Sequence, residues 1–63
     1  MFIILTLKND KRIRVNFDLV RDYSQIINET GSVICFDEDY YFKVQETPEQ
    51  LDKMLIDNLS KRG

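Results

Sequence analysis

The sequence predicts an α+β fold, a curved antiparallel β-sheet of four to five strands with a C-terminal α-helix packed on one face. Three observations carry this. Short apolar-rich runs at residues 2–7, 12–17, 33–36 and 40–44, of which 12–17 alternates strictly with polar residues, have the length and composition of strands. A tight acidic turn, Asp37-Glu38-Asp39, separates two such runs. Thr47-Pro48-Glu49-Gln50 then has the form of a helix start, ahead of leucines and a methionine at helical spacing.

In the first segment Ile3, Leu5 and Leu7 alternate with Phe2, Ile4 and Thr6; in the second, Ile13, Val15 and Phe17 alternate with Arg12, Arg14 and Asn16. Pairing Leu7 with Ile13, Leu5 with Val15 and Ile3 with Phe17 leaves the odd loop Asn9-Asp10-Lys11 and gathers six apolar side chains on one face. The other face mixes Phe2, Ile4 and Thr6 with Arg12, Arg14 and Asn16, which is too apolar at one end to be plainly solvated. The first strand is therefore expected to be central or covered.

Residues 18–31 admit two readings. Leu19, Val20, Tyr23, Ile26 and Ile27 have helical spacing, with Asp18 as a cap and Gly31 past the end. The composition favours instead a turn at Asp18–Asp22 and a strand over about Tyr23–Asn28, turning at Thr30-Gly31 so that Ile27 meets Ile34 and Ile26 meets Cys35. Further on, Phe36 opposite Tyr40 and Ile34 opposite Phe42 set Ile34, Phe36, Tyr40, Phe42 and Val44 on the core face, and Val33, Cys35, Tyr41 and Lys43 on the other. The helix is expected from Pro48 to about Lys61, capped by Thr47 and Gln50, with Leu51, Met54, Leu55 and Leu59 as its apolar stripe. Glu49–Lys53 and Asp57–Lys61 have the spacing of favourable pairs, and Lys61-Arg62-Gly63 suits the helix's negative end. Ile56 falls off the stripe.

At 63 residues the chain is read as one small domain, 1–63, near the lower size at which a core can sustain a fold. Its 43% apolar and 32% charged content is that of a globular protein and not of a disordered tail. One cysteine excludes an intramolecular disulfide, and the lack of histidine removes the usual zinc ligand sets. The apolar run Met1–Lys8 is too short to span a membrane and lacks the marks of a signal peptide, so a cytoplasmic protein with no membrane contact is expected.

Catalysis needs a tuned group beside a second group that activates it. Cys35 has no basic neighbour in its strand, and the acidic turn lacks the alternation and glycine of a calcium loop. With glycine only at 31 and 63 there is no phosphate-cradling loop. The expectation is a non-enzyme without cofactor, metal or small-molecule substrate. Two binding readings stand. The net charge of −2 hides a basic start and an acidic middle, which can orient a protein partner or a second copy. The face with Phe2, Ile4, Val33, Cys35 and Tyr41, together with Ile56, is apolar enough for protein contact, and a homo-oligomer is the expected form. The alternative is a nucleic-acid-binding regulator using Lys8, Lys11, Arg12 and Arg14; it ranks second because a negative chain is repelled by phosphates.

The stretch Ser32-Val-Ile-Cys-Phe-Asp-Glu-Asp-Tyr-Tyr-Phe-Lys-Val-Gln-Glu-Thr-Pro-Glu-Gln-Leu51, and Asn16-Phe-Asp-Leu-Val20 before it, resemble the small flagellar FlbD / swarming-motility SwrD family. The turn glycines of that family are missing here, and a few extra residues lie between Val20 and Ser32. The resemblance implies a non-enzymatic accessory of flagellar function with no catalytic residues. A phage or mobile-element protein acting by contact fits the same composition.

Overall fold

Residues 2–44 form five short strands in the computed structural model, β1 (Phe2–Thr6), β2 (Arg12–Asn16), β3 (Asp22–Gln25), β4 (Ser32–Cys35) and β5 (Tyr41–Val44), followed by the helix α1 (Pro48–Arg62). The structure describes the backbone of residues 1–62 and the side chains of residues 1–60. All pairings are antiparallel: β1 with β2 in one sheet, and β3-β4-β5 in a second. A bridge between Leu7 and Val44 joins the two. The combined order β2-β1-β5-β4-β3 makes β1 the link strand, and β2 and β3 the edges.

The β1–β2 register pairs Ile3 with Val15 and Leu5 with Ile13, two residues away from the expected one. An even slip leaves every side chain on its expected face. The turn is Lys8-Asn9-Asp10 and not Asn9-Asp10-Lys11, because Asp10 accepts the left-handed conformation (φ 70°) that closes a three-residue hairpin. Residues 22–25 are strand, so the helical alternative for this region is set aside. The strand ends at Gln25, before the expected Asn28. Asn28 is itself left-handed (φ 66°) and starts the turn early, so Tyr23, and not Ile27, faces Ile34. Ile27 is thereby 85% exposed, while Ile26 turns inward at 5%. The β4–β5 hairpin has the expected register and the Asp37-Glu38-Asp39 loop.

Ile3, Leu5, Val15, Ile34, Val44 and Leu51 form the buried core, with Ile13, Phe17, Tyr23, Phe36, Phe42, Met54 and Leu55 packed around it. Tyr40 departs from its expected core position. It stands at the hairpin end, exposed, with its ring stacked on Phe36 at 5.1 Å. The helix starts as the sequence dictates: Thr47 N donates to Gln50 Oε1 at 2.8 Å, and Gln50 N to Thr47 Oγ1 at 3.2 Å. Leu51 is completely buried, a contribution of roughly 2 kcal/mol. Leu59 is 59% exposed, contrary to the expected stripe. Strands of four or five residues cannot cover a helix of 15, whose length is roughly 22 Å. Glu49 and Lys53 form no ion pair among the described residues. The expected Asp57–Lys61 pair and the basic Lys61-Arg62-Gly63 end lie outside the described side chains.

The junction of the sheets is the most densely hydrogen-bonded part. Gln45 N donates to Thr6 O at 2.7 Å, and Gln45 Nε2 to Leu7 O and Asp10 Oδ1, both at 2.8 Å. The Glu46 carboxylate accepts from Thr6 N and Thr6 Oγ1, both at 2.9 Å, while its carbonyl accepts from the buried Ser32 hydroxyl at 2.8 Å. Gly31 enters β4 beside this cluster with φ 115°, where a Cβ would stand 2.2 Å from Val44 O. Gly31→Ala is therefore expected to destabilise the fold by about 3 kcal/mol in urea unfolding; a loss below about 0.5 kcal/mol would contradict the close approach.

The Tyr23 hydroxyl donates to Asp52 and ties α1 to β3. That bond, then burial, then the carboxylate's charge push the phenol from 10.0 up to about 12. A folded value above the unfolded one means that the contribution to stability is present below pH 10.0 and is lost as pH rises towards about 12. Ultraviolet titration should resolve one late tyrosine that disappears in Tyr23→Phe, whereas one common titration step would contradict the bond.

Candidate protein-contact site

On the outer face of the first sheet Phe2 lies opposite Asn16, Ile4 opposite Arg14 and Thr6 opposite Arg12. Phe2 and Ile4 are 61% and 49% exposed. Ile4 sits with Arg12, Ile13 and Arg14 around a shallow depression of about 280 Å³. The four expected cations behave differently from one another. Lys8 is taken into the fold, donating to the Thr30 carbonyl and pairing with Glu29 at 3.3 Å. The side chains of Lys11, Arg12 and Arg14 are exposed and make no ion pair or hydrogen bond among the described residues.

Backbone parity sets the direction of the rest. Leu7 N donates to Lys11 O and Phe17 N to Met1 O, which marks the odd-numbered residues of this hairpin as the hydrogen-bonded pairs. The N–H and C=O groups of Arg12 and Arg14 consequently point away from β1, towards a side where β2 has no strand neighbour among the described residues. Along the same edge, Ile13 and Val15 meet Phe36, Tyr40 and Phe42 across a groove of about 360 Å³, which Leu19 and, from the alternate positions, Phe2, Arg14 and Asn16 also line. The groove marks the place where β2 fails to close against the β4–β5 hairpin.

Val33, Cys35 and Tyr41 occupy the outer face of the second sheet, with Val33 opposite Lys43 and Cys35 opposite Tyr41. Val33 lines a third depression with Ser24, Gln25, Ile26, Ile27 and Lys43. The residues expected on one face thus belong to two sheets, and Phe2, Ile4 and Val33 line three separate depressions. Ile56 stands apart on the exposed half of α1. Leu19, Phe36, Tyr40 and Phe42 were not candidates in the sequence. The signal for them was hairpin parity, which leaves β2 at an edge and turns its apolar side chains towards the β4–β5 hairpin.

The acidic turn closes on itself: Asp37 Oδ1 accepts from Asp39 N at 2.8 Å and from Tyr40 N at 3.0 Å. Among the described residues no group of three or more His, Cys, Asp or Glu is placed to hold a metal ion. No helix in them is long and apolar enough to cross a membrane. No protein-family profile, curated protein or solved structure matches the chain.

Burial, and after it the hydrogen bond and charge of Asp22, push the half-buried Cys35 thiol up, with Arg21 working against them. A raised pKa lowers the thiolate fraction, which is the reactive form. Alkylation by iodoacetamide at about pH 8 should therefore run several-fold slower in the folded chain than in urea, and Asp22→Asn should speed it. Equal rates in the folded and unfolded chain would contradict this arrangement.

Proposed function

We propose that the chain is a small non-catalytic protein-interaction module of the cytoplasm, acting by contact with a protein partner or with itself. The observation that carries the reading is the outer face of β1–β2, where exposed Phe2 and Ile4 adjoin two guanidinium groups that have no partners among the described residues. Apolar side chains grouped on a sheet face beside unpaired charge are the composition of a contact surface, in which the apolar part supplies affinity and the charge selects the partner. The likeness to the FlbD / SwrD family supports placing such a module in flagellar function, and a phage or mobile-element origin accommodates the same surface. Nucleic-acid binding is the second reading, favoured by Lys11, Arg12 and Arg14 on one hairpin, which are unpaired among the described residues.

Sedimentation velocity at rising concentration, with a salt titration against DNA and RNA, separates the two. The lead reading expects association at high micromolar concentration that Phe2→Ser with Ile4→Ser removes, leaving the unfolding midpoint almost unchanged because both side chains are exposed. A strict monomer removes self-association. Salt-sensitive oligonucleotide binding that Arg12→Ala with Arg14→Ala abolishes would install the second reading in its place.

A further inference from the structure

We propose that the free edge of β2 is a strand-addition site for an extended segment of a partner protein in which apolar and acidic residues alternate. The inference rests on the interaction-module reading and gives it a location and a partner chemistry. Three observations converge on this edge. The backbone N–H and C=O groups of Arg12 and Arg14 point to the side of β2 that has no neighbouring strand among the described residues. Their guanidinium groups, at the alternate positions of the strand and without ion-pair or hydrogen-bond partners among the described residues, offer two positive charges spaced by roughly 7 Å along the strand, the repeat at which alternate side chains of an added strand occur. On the inner face the apolar groove between Val15 and Phe42 receives the other half of those side chains. A strand that pairs here gains main-chain hydrogen bonds from the edge, apolar burial on one face and charge matching on the other.

Edge strands often carry charge merely to deter pairing. That role does not account for the open apolar groove on the other side of this same edge. A second copy of the chain is a poor occupant. Two-fold pairing of β2 with itself sets arginine against arginine, and like charges directly opposite are destabilising. The chain's own acidic run is no better, since the backbone of Asp37–Tyr40 is held in its turn by the Asp37 carboxylate.

The test uses the full chain and a synthetic peptide of alternating valine and glutamate, closed by proline at each end so that it does not pair with itself. Amide exchange and chemical shifts are followed by NMR. The expected result is slowing of the Arg12 and Arg14 amides by about tenfold or more at saturating peptide, with shifts along Ile13, Val15, Phe36 and Phe42. Arg12→Glu with Arg14→Glu should weaken this peptide by at least about tenfold and strengthen one alternating valine with lysine. Arg14→Pro, at a position whose N–H faces away from β1, should keep the circular dichroism spectrum and lose the peptide. Should that variant not fold, N-methylation of the peptide at the pairing positions gives the same readout on the unaltered chain. Unchanged exchange at Arg12 and Arg14, or equal binding of a peptide with the same residues in blocks, overturns the inference. Peptide shifts confined to Ile56 or to the Val33–Tyr41 face overturn the edge and leave the interaction module standing. Salt-sensitive oligonucleotide binding at Arg12 and Arg14, with no peptide bound, overturns both.

Discussion

The structure depends on the meeting of Thr6-Leu7 with Val44-Gln45-Glu46. Neither sheet could enclose a core alone, since a two-stranded ribbon has nothing to cover its apolar face and three strands of four residues bury little. At the junction Glu46 satisfies the Thr6 amide and hydroxyl, and Gln45 satisfies the carbonyls of Thr6 and Leu7. The Thr6 amide and carbonyl would otherwise lose these partners where two sheets converge, at a cost of roughly 1–3 kcal/mol for each that is buried, while the Leu7 carbonyl also accepts from Asp10 N in the turn. With the sheets joined, Leu5, Ile34, Val44 and Leu51 become a single core from which water is excluded.

The same junction decides which edge stays open. It occupies the outward-pointing groups of β1 at Thr6, which places β1 inside the array and leaves β2 at the edge, with no second strand neighbour among the described residues. Arg12 and Arg14 alternate with Ile13 and Val15 for the ordinary reason that β2 has one solvated and one buried face. At an edge, that alternation takes on a second meaning, because it lays charge and apolar surface on opposite sides of the same unpaired backbone. The contact chemistry of the chain is thus a by-product of its topology.

How far the sequence revealed this follows from the range of the interactions concerned. The β4–β5 hairpin and the Thr47–Gln50 cap were legible because each is settled by residues within a few positions of one another. The β1–β2 and β3–β4 registers were read two and four residues away from the observed ones, since even slips preserve the apolar pattern, and the choice fell to Asp10 and Asn28 accepting left-handed backbone. Tyr40 and Leu59 were placed in the core because period alone does not show where a small sheet ends. Lys8 was counted with the free cations, yet its partners Glu29 and Thr30 lie 21 and 22 residues further along the chain and were not visible as neighbours. The groove beside β2 was the least legible feature, because it is made by a strand pairing that does not form.

The helix that outruns its sheet divides the domain into two grades of stability. Its first turns carry the cap, Leu51 and the Tyr23–Asp52 bond, so they open only when the core does. Between Ile56 and Ser60 the side chains other than half-buried Asn58 are exposed and contribute little burial, and an unsupported stretch of helix this short is marginal in water. Opening of the Ile56–Ser60 stretch leaves the β2 edge undisturbed, since none of its residues lines the groove there. The body that would hold a partner is thus set by the core and the first turns of α1, and not by the exposed Ile56–Ser60 stretch.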